Sequence, residues 1–453
     1  MAERRPVNRK SRVTRQTEEK RPRTPLSRRG RMTIAVLAGI GLGLGAGAHV
    51  WTQGLDLARA DAIPLVASSP LAKPAAIKPE DPVAVATRAA DLVPPEALDL
   101  KAAKVVDGRY VIDLADGRRV TLTLIPALQQ RAEQVLQKYD VPIGALVAVE
   151  PATGRVLALA DHSAEKPGRR FALEATQPAA SVFKIVTTAA LVEGEGVSPD
   201  QKTCYHGGLH GITKQHITDN PKADTACITL AQALGKSTNP VFAKLADRLL
   251  DRAELTAWAE RFGFNARIPF VMDVQPSRAD LPEDRVKYAA SAAGFHHTKL
   301  SPLHAALFMG ALGNDGRMLE PQLVDRIERG GVTIYEAKPR ELRQIVSPET
   351  ARTVTRMMVT TTTEGTAAKY FKKAEPPLQG VAIAGKTGSL SSKDSGIGHF
   401  NTWFVALAPA EAPQIAVAAL VSNAGAWRIK GTHLGRAALE AYFKVHPATA
   451  VKR

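Results

Sequence analysis

The spacing of apolar and polar residues divides the chain into blocks. Residues 32–51 form a twenty-residue run whose one ionisable group is His49. That is long enough to cross a bilayer as a helix. Residues 52–100 hold no sustained period and are rich in Ala and Pro, with Pro64, Pro70, Pro74, Pro79, Pro82, Pro94 and Pro95. Such a composition predicts an extended linker. Residues 105–114 and 118–124 flank Asp116-Gly117, which predicts a tight hairpin. Pro126 opens a helix to about Tyr139, with Leu128, Ala132, Val135 and Leu136 on one face.

The runs 145–149 and 155–160 flank Pro151-Ala152-Thr153-Gly154 and predict a second hairpin. Ile185, Ala189 and Val192 then recur at helical intervals until Gly194 and Gly196 stop them. Helical segments fill much of 187–261. Strand patterns return at 381–384, 402–408 and 414–421, and 432–443 reads as a final helix. Strands at both ends of a helical middle predict an α+β fold whose sheet joins distant parts of the chain. No internal repeat is present.

Charge changes the picture at the N-terminus. The chain has 453 residues and a net charge of +16, and residues 1–31 hold twelve Lys or Arg against three Glu. The excess is therefore local, and no aromatic residue interleaves with it, so nucleic acid is not an expected partner. A basic segment before an apolar run stays in the cytoplasm and directs the chain beyond that run to the outside. Gly39, Gly43 and Gly47 fall four apart, a spacing that reads here as glycine richness. Ala46-Gly47-Ala48 resembles a cleavage site, so a cleaved signal peptide is the alternative to an uncleaved anchor. The long basic segment favours the anchor.

Candidate chemistry begins at Ser181-Val182-Phe183-Lys184, at the head of the helical run. Residues three apart on a helix share a face, so the Lys184 amine can reach Ser181 Oγ. A serine hydroxyl needs a base beside it, and a lysine serves if its pKa is brought down. Ser-x-x-Lys is expected about once or twice by chance at ordinary residue usage. Ser163-Ala164-Glu165-Lys166 also fits, but Pro167-Gly168 comes directly after it and it reads as a turn. The alternative for Ser181 is a capping serine with a solvated lysine one turn on.

Two later motifs decide against that alternative. Ser237-Thr238-Asn239 comes after a helical run and precedes Pro240. Alone it reads as a capping turn. Beside a Ser–Lys pair, its hydroxyl can shuttle a proton and its amide can hold a substrate amide or the lysine. Lys386-Thr387-Gly388-Ser389 comes after the strand 381–384, where a cation and a hydroxyl at a strand end suit a substrate carboxylate. Gly388 permits close approach of a substrate backbone.

In this order and context, the three motifs resemble those of the penicillin-binding proteins and serine β-lactamases. The resemblance covers about 141–443. Residues 144–159, Phe262-Gly263-Phe264, Ser301-Pro302-Leu303, Asn314-Asp315-Gly316 and Glu364-Gly365-Thr366-Ala367 look like the transpeptidase members. It implies an antiparallel sheet flanked by helices, with an inserted, mostly helical subdomain. It implies that Ser181 is the acylated nucleophile, Lys184 its base and Ser237 the proton relay. Asn239 would position substrate, and Lys386 and Thr387 would hold a carboxylate, with Gly388 and Ser389 beside it. The backbone N–H groups of Ser181 and Ser389 would form the oxyanion hole.

The implied activity is acyl-serine D,D-transpeptidation of peptidoglycan stem peptides, without cofactor or metal, with β-lactams as inhibitors. The alternatives are a D,D-carboxypeptidase, a class D-like β-lactamase, or a non-catalytic receptor for β-lactams or muropeptides. The expected partners are stem peptides, β-lactams, the inner membrane and other cell-wall synthesis proteins. The expected organisation is a cytoplasmic segment 1–31, an anchor 32–51, a linker 52–100, a lead-in 101–140 and a periplasmic catalytic domain 141–445. Two departures stand out. Pro178-Ala179-Ala180 replaces a frequent Pro-Gly before the nucleophile, and Gly294-Phe295-His296 a frequent Gly-Gln-Gly.

Cys204 and Cys227 are the only cysteines, and an even count outside the membrane suggests a disulfide bracing the insert. Free thiols, or a zinc site with His206, His210 and His216, are the alternatives. His296-His297 reads as a cleft or surface pair and not as the base.

Overall fold

The computed structural model of the chain describes residues 88–392 and 399–448. The expected cytoplasmic segment, anchor and most of the linker lie outside the described residues. Among the described residues, no helix is long and apolar enough to cross a membrane.

The central sheet has five antiparallel strands, in the order Ala384–Ser392, His399–Ala408, Ile415–Ala424, Ile143–Val149 and Val156–His162. The C-terminal strand pairs with the N-terminal one, Ala416 opposite Val149 and Ser422 opposite Ile143, so the sheet does join the two ends of the domain. Every residue of Ile143–Val149 is buried. The strand alternates nothing because helices cover both faces. Pro126–Tyr139 and Gly431–Val445 pack on one face with Leu146, Phe404 and Val421. Pro302–Leu312, buried at every position, packs on the other with Val147 and Val405.

Three expectations are corrected. The pattern 105–114 is not one strand: Asp107 and Gly108 take φ of 49° and 73°, turning Lys104–Val106 back on Arg109–Asp113. The lead-in does not stand apart. Arg118–Leu122 pairs with Val324–Arg329, some 200 residues on, in a second five-stranded sheet. The packed domain also takes in the end of the expected linker, since Val93 and Leu98 are buried in the main core.

The stretch 187–261 is less helical than its composition suggests. Helices Lys214–Ile217, Leu230–Lys236, Asn239–Leu249 and Arg252–Arg261 share it with a hairpin of Lys202–Tyr205 and Ala226–Thr229. Cys204 sits opposite Cys227 in that hairpin, and the two are bonded.

Candidate active site

Ser181 lies in the 3-10 turn Ala180–Phe183, which runs into the helix Lys184–Ala189. Ala180 takes φ of 50°, a left-handed conformation that costs an L-residue about 1–2 kcal/mol. The turn is held against this strain by its surroundings. Trp403 Nε1 donates to Pro178 O at 2.8 Å, and Thr187 Oγ1 donates to Ala292 O at 2.8 Å. Phe183 packs edge-on against Phe264, ring centres 5.5 Å apart. Gly294, at φ 87°, presses on the turn so closely that a Cβ there would sit 2.4 Å from Ala180 O. The first departure thus leaves strain at Ala180, and the glycine of the second is the one the packing requires.

Lys184 is completely buried. Its Nζ lies 2.9 Å from Ser181 Oγ and 2.7 Å from Asn239 Oδ1, and it also donates to Ala293 O. Burial pulls its pKa well below the usual lysine value, and the positive charge of Lys386 adds to the fall. A neutral amine has two hydrogens and one lone pair. Asn239 Oδ1 and Ala293 O can only accept, so they take the hydrogens. The lone pair is left for the one partner that can donate, the Ser181 hydroxyl.

Asn239 opens the helix Asn239–Leu249, and its Nδ2 donates to Leu209 O at 2.8 Å. Ser237 precedes it at φ 58°, capping Leu230–Lys236 in the left-handed region. Lys386 is also fully buried, and its Nζ donates to Ser237 Oγ and Thr387 O, both at 2.8 Å. Burial pushes its pKa down to about 7. Thr387 Oγ1 shares a 2.5 Å hydrogen bond with Thr366 Oγ1.

The lysine motif does not come after a strand end, as 381–384 implied. It lies inside the strand Ala384–Ser392, at the edge of the central sheet. An edge strand pairs on one side only, so polar residues there can face a cleft. Gly388 is tight against the nucleophile turn: a Cβ would stand 3.3 Å from Ala180 Cβ.

Ser181, Asn239 and Ser389 line a cleft of about 250 Å³ together with Gly294, Phe400 and Trp427. The motif residues form two hydrogen-bonded groups, of which the first contributes Ser181 and Asn239 to the cleft lining. One joins Ser181, Lys184 and Asn239, and the other joins Lys386, Ser237, Thr387 and Thr366. Ser237 is tied to Lys386, and the two groups communicate through the charge of Lys386 on Lys184.

The second Ser-x-x-Lys copy lies elsewhere. Ser163 Oγ donates to Pro142 O at 2.6 Å and accepts from Lys166 N–H, forming a turn, and Lys166 is exposed. His206 Nδ1 donates to Asp224 at 2.6 Å, and His216 Nδ1 accepts from Thr213 N–H. His210 lines the cleft, whereas His296 and His297 are exposed and stand outside its lining. Among the described residues, no group of three or more His, Cys, Asp or Glu is placed to hold a metal.

Sequence reasoning missed Thr366, the Ala293 carbonyl, Leu209 and the exposed aromatic pair Phe400–Trp427, ring centres 5.6 Å apart. Thr366 lay in a stretch already singled out. The Ala293 and Leu209 carbonyls carry no signal, because a backbone carbonyl is anonymous in a sequence, and the Phe400–Trp427 pair joins residues 27 apart that no local period links.

A family model described as the penicillin binding protein transpeptidase domain matches residues 144–441. The chain is 29% identical over 384 residues to a peptidoglycan D,D-transpeptidase PbpA of Mycobacterium tuberculosis, covering 75% of this chain and 76% of that protein. A PbpA of Mycolicibacterium smegmatis is also 29% identical, covering 70% and 71%. Among solved structures, a ceftriaxone acyl-enzyme complex of penicillin-binding protein A from M. tuberculosis superposes with a TM-score of 0.60 at 28% identity, covering 71% of this chain and 79% of that one.

Proposed function

The chain belongs to the penicillin-binding protein transpeptidase family, and from that premise we propose that it is a peptidoglycan D,D-transpeptidase acting through an acyl-serine. The observation that carries the reading is the placement of Lys184, buried, with both its hydrogens committed and its lone pair left for Ser181.

Ser181 Oγ attacks the carbonyl carbon of the scissile D-alanyl-D-alanine amide, and its proton passes to Lys184 Nζ. The oxyanion that forms is received by the backbone N–H groups of Ser181 and Ser389. Ser237, bonded to Lys386, relays the proton held by Lys184 to the leaving amine as the C–N bond breaks, which leaves an ester on Ser181 and Lys184 neutral again. A second amine, from an acceptor stem peptide, attacks that ester and restores the Ser181 hydroxyl. Attack by water would give carboxypeptidation instead. Thr387 and Ser389 bind the substrate carboxylate, while buried Lys386 supplies positive potential from behind and Asn239 orients Lys184. A β-lactam enters the same first step.

Residues 1–31 are assigned to the cytoplasm and 32–51 to a membrane anchor, with the remainder tethered outside. The charge asymmetry supports this topology. So does the Cys204–Cys227 bond, which suits an oxidising compartment. The membrane and other cell-wall synthesis proteins are the partners this placement calls for.

Fluorescent penicillin tests the chemistry. The native chain should label and lose label slowly, and label should transfer from a D-alanyl donor to an amine acceptor. Ser181→Ala should abolish labelling, and Ser163→Ala should keep it. Rapid loss of label would indicate a β-lactamase, and no labelling at all a receptor.

A further inference from the structure

Asn239 makes two hydrogen bonds with its amide, and their order matters. Oδ1 accepts from Lys184 Nζ at 2.7 Å and Nδ2 donates to Leu209 O at 2.8 Å. Were the amide turned over, Nδ2 would face Lys184 and compete with the Ser181 hydroxyl for its lone pair. The Leu209 carbonyl therefore decides whether Lys184 can serve Ser181.

Leu209 belongs to the segment between the two strands of the disulfide-bonded hairpin. That segment is pressed onto the start of the Asn239 helix, where a Cβ on Gly208 would meet Pro240 Cβ at 3.0 Å. Five residues beyond Asn239, Lys244 reaches from the same helix into the hairpin. Its side chain is 0% exposed, and Nζ donates to Asp224 Oδ2 at 2.5 Å and to Cys204 O at 3.3 Å. Asp224 is itself 6% exposed and accepts from His206 as well. Lys244 and Asp224 touch neither Ser181 nor Lys184, so no step of the acyl transfer uses this buried ion pair. It costs desolvation to bury such a pair, and its geometric effect is to fix the hairpin to the Asn239 helix.

We propose that Lys244, Asp224 and the Cys204–Cys227 bond are positioning residues for the reaction, holding the Leu209 carbonyl so that Asn239 presents Oδ1, and not Nδ2, to Lys184. The inference rests on the acyl-serine reading and names the device that orients its base.

The test uses the full chain with Lys244→Met, and separately with Cys204→Ser and Cys227→Ser together. Fluorescent penicillin reports the acylation rate constant, the fraction finally labelled and the pH profile. Among the described residues, the charged group facing Lys184 is Lys386 from the edge strand. Asn239 and the Phe242 ring face it from the Asn239 helix, and Ala293 O from the turn before Gly294. Neither variant alters any of these groups, so a moved profile reports the Asn239 amide.

The expected result is a full final label reached about ten-fold more slowly. The acid limb should also move to lower pH, because the ammonium loses Oδ1 as a partner while the free amine gains Nδ2. A native rate and profile in both variants would overturn the proposal. So would a smaller labelled fraction with native rate and native limb, since that is a loss of fold and not of orientation. If Lys244→Met does not fold, the paired serine variant decides. If the native chain shows no Ser181-dependent label, the acyl-serine reading fails and not this one.

Discussion

Lys386 Nζ donates a 2.8 Å hydrogen bond to Ser237 Oγ across 149 residues of sequence. The bond joins the edge strand of the sheet to the turn before the Asn239 helix. Below about pH 7, where Lys386 is protonated, it also keeps a cation beside a second buried lysine, Lys184, whose pKa it helps to lower.

That relationship predicts the response to Lys386→Met, which removes the charge and keeps an apolar stem in place. Without the neighbouring cation, the Lys184 ammonium is less disfavoured and its pKa rises. The acid limb of acylation by penicillin should therefore move to higher pH, and the plateau should fall because Ser237 loses its partner. Thr387→Ala should slow acylation and leave the limb where it is, at a cost of about 1.5–3 kcal/mol for a hydrogen bond to a charged group. An unmoved limb in Lys386→Met would remove the electrostatic role.

The same burial predicts how stability depends on pH. The folded-state pKa of Lys386 is pushed down to about 7, from 10.5 when exposed. Between these values the unfolded chain holds the proton and the folded chain does not, so stability rises with pH through that window. Chemical denaturation at pH 7 and pH 9 should show native stability increasing more than that of Lys386→Met. Equal slopes in the two proteins would show that Lys386 is solvated.

Gly294→Ala tests the packing under the nucleophile. The new methyl would lie 2.4 Å from Ala180 O, at a φ of 87° that an alanine resists. The turn must shift, at about 1–3 kcal/mol for overpacking. Acylation should drop by more than the stability loss accounts for, because the shifted segment carries Ser181. Thermal unfolding and labelling on one preparation separate the two effects, and native acylation would mean that the turn accommodates the methyl.

Topology is predicted from the charge of residues 1–31. Protease added to spheroplasts should digest the catalytic domain and spare the N-terminal segment. A protected catalytic domain would reverse the assignment.

The Ser181–Lys184 pair was legible because its geometry is local: residues three apart on one helical face meet regardless of what surrounds them. Strands that alternate little, such as Ile143–Val149, were legible from continuous apolar runs, with bounds a few residues off. The Lys386 strand was placed too early because apolar residues at 381–383 mimic a strand, while polar residues at an edge do not. The lead-in was read as separate because nothing near Arg118–Leu122 announces a partner at Val324–Arg329.

By itself, the sequence determined the chemical groups, their order and the periodicities that make helices and strands. Those depend on residue type and on neighbours within a turn or two. Only the tertiary structure decided that Asn239 turns Oδ1 towards Lys184, that Lys386 stands behind Ser237 and that Leu209 offers its carbonyl to Asn239. It also decided that both lysines lose their water, and with it their ordinary basicity. Each of these outcomes requires segments tens to hundreds of residues apart to close on one another. Burial and orientation are properties of that closure, so no window of sequence contains them.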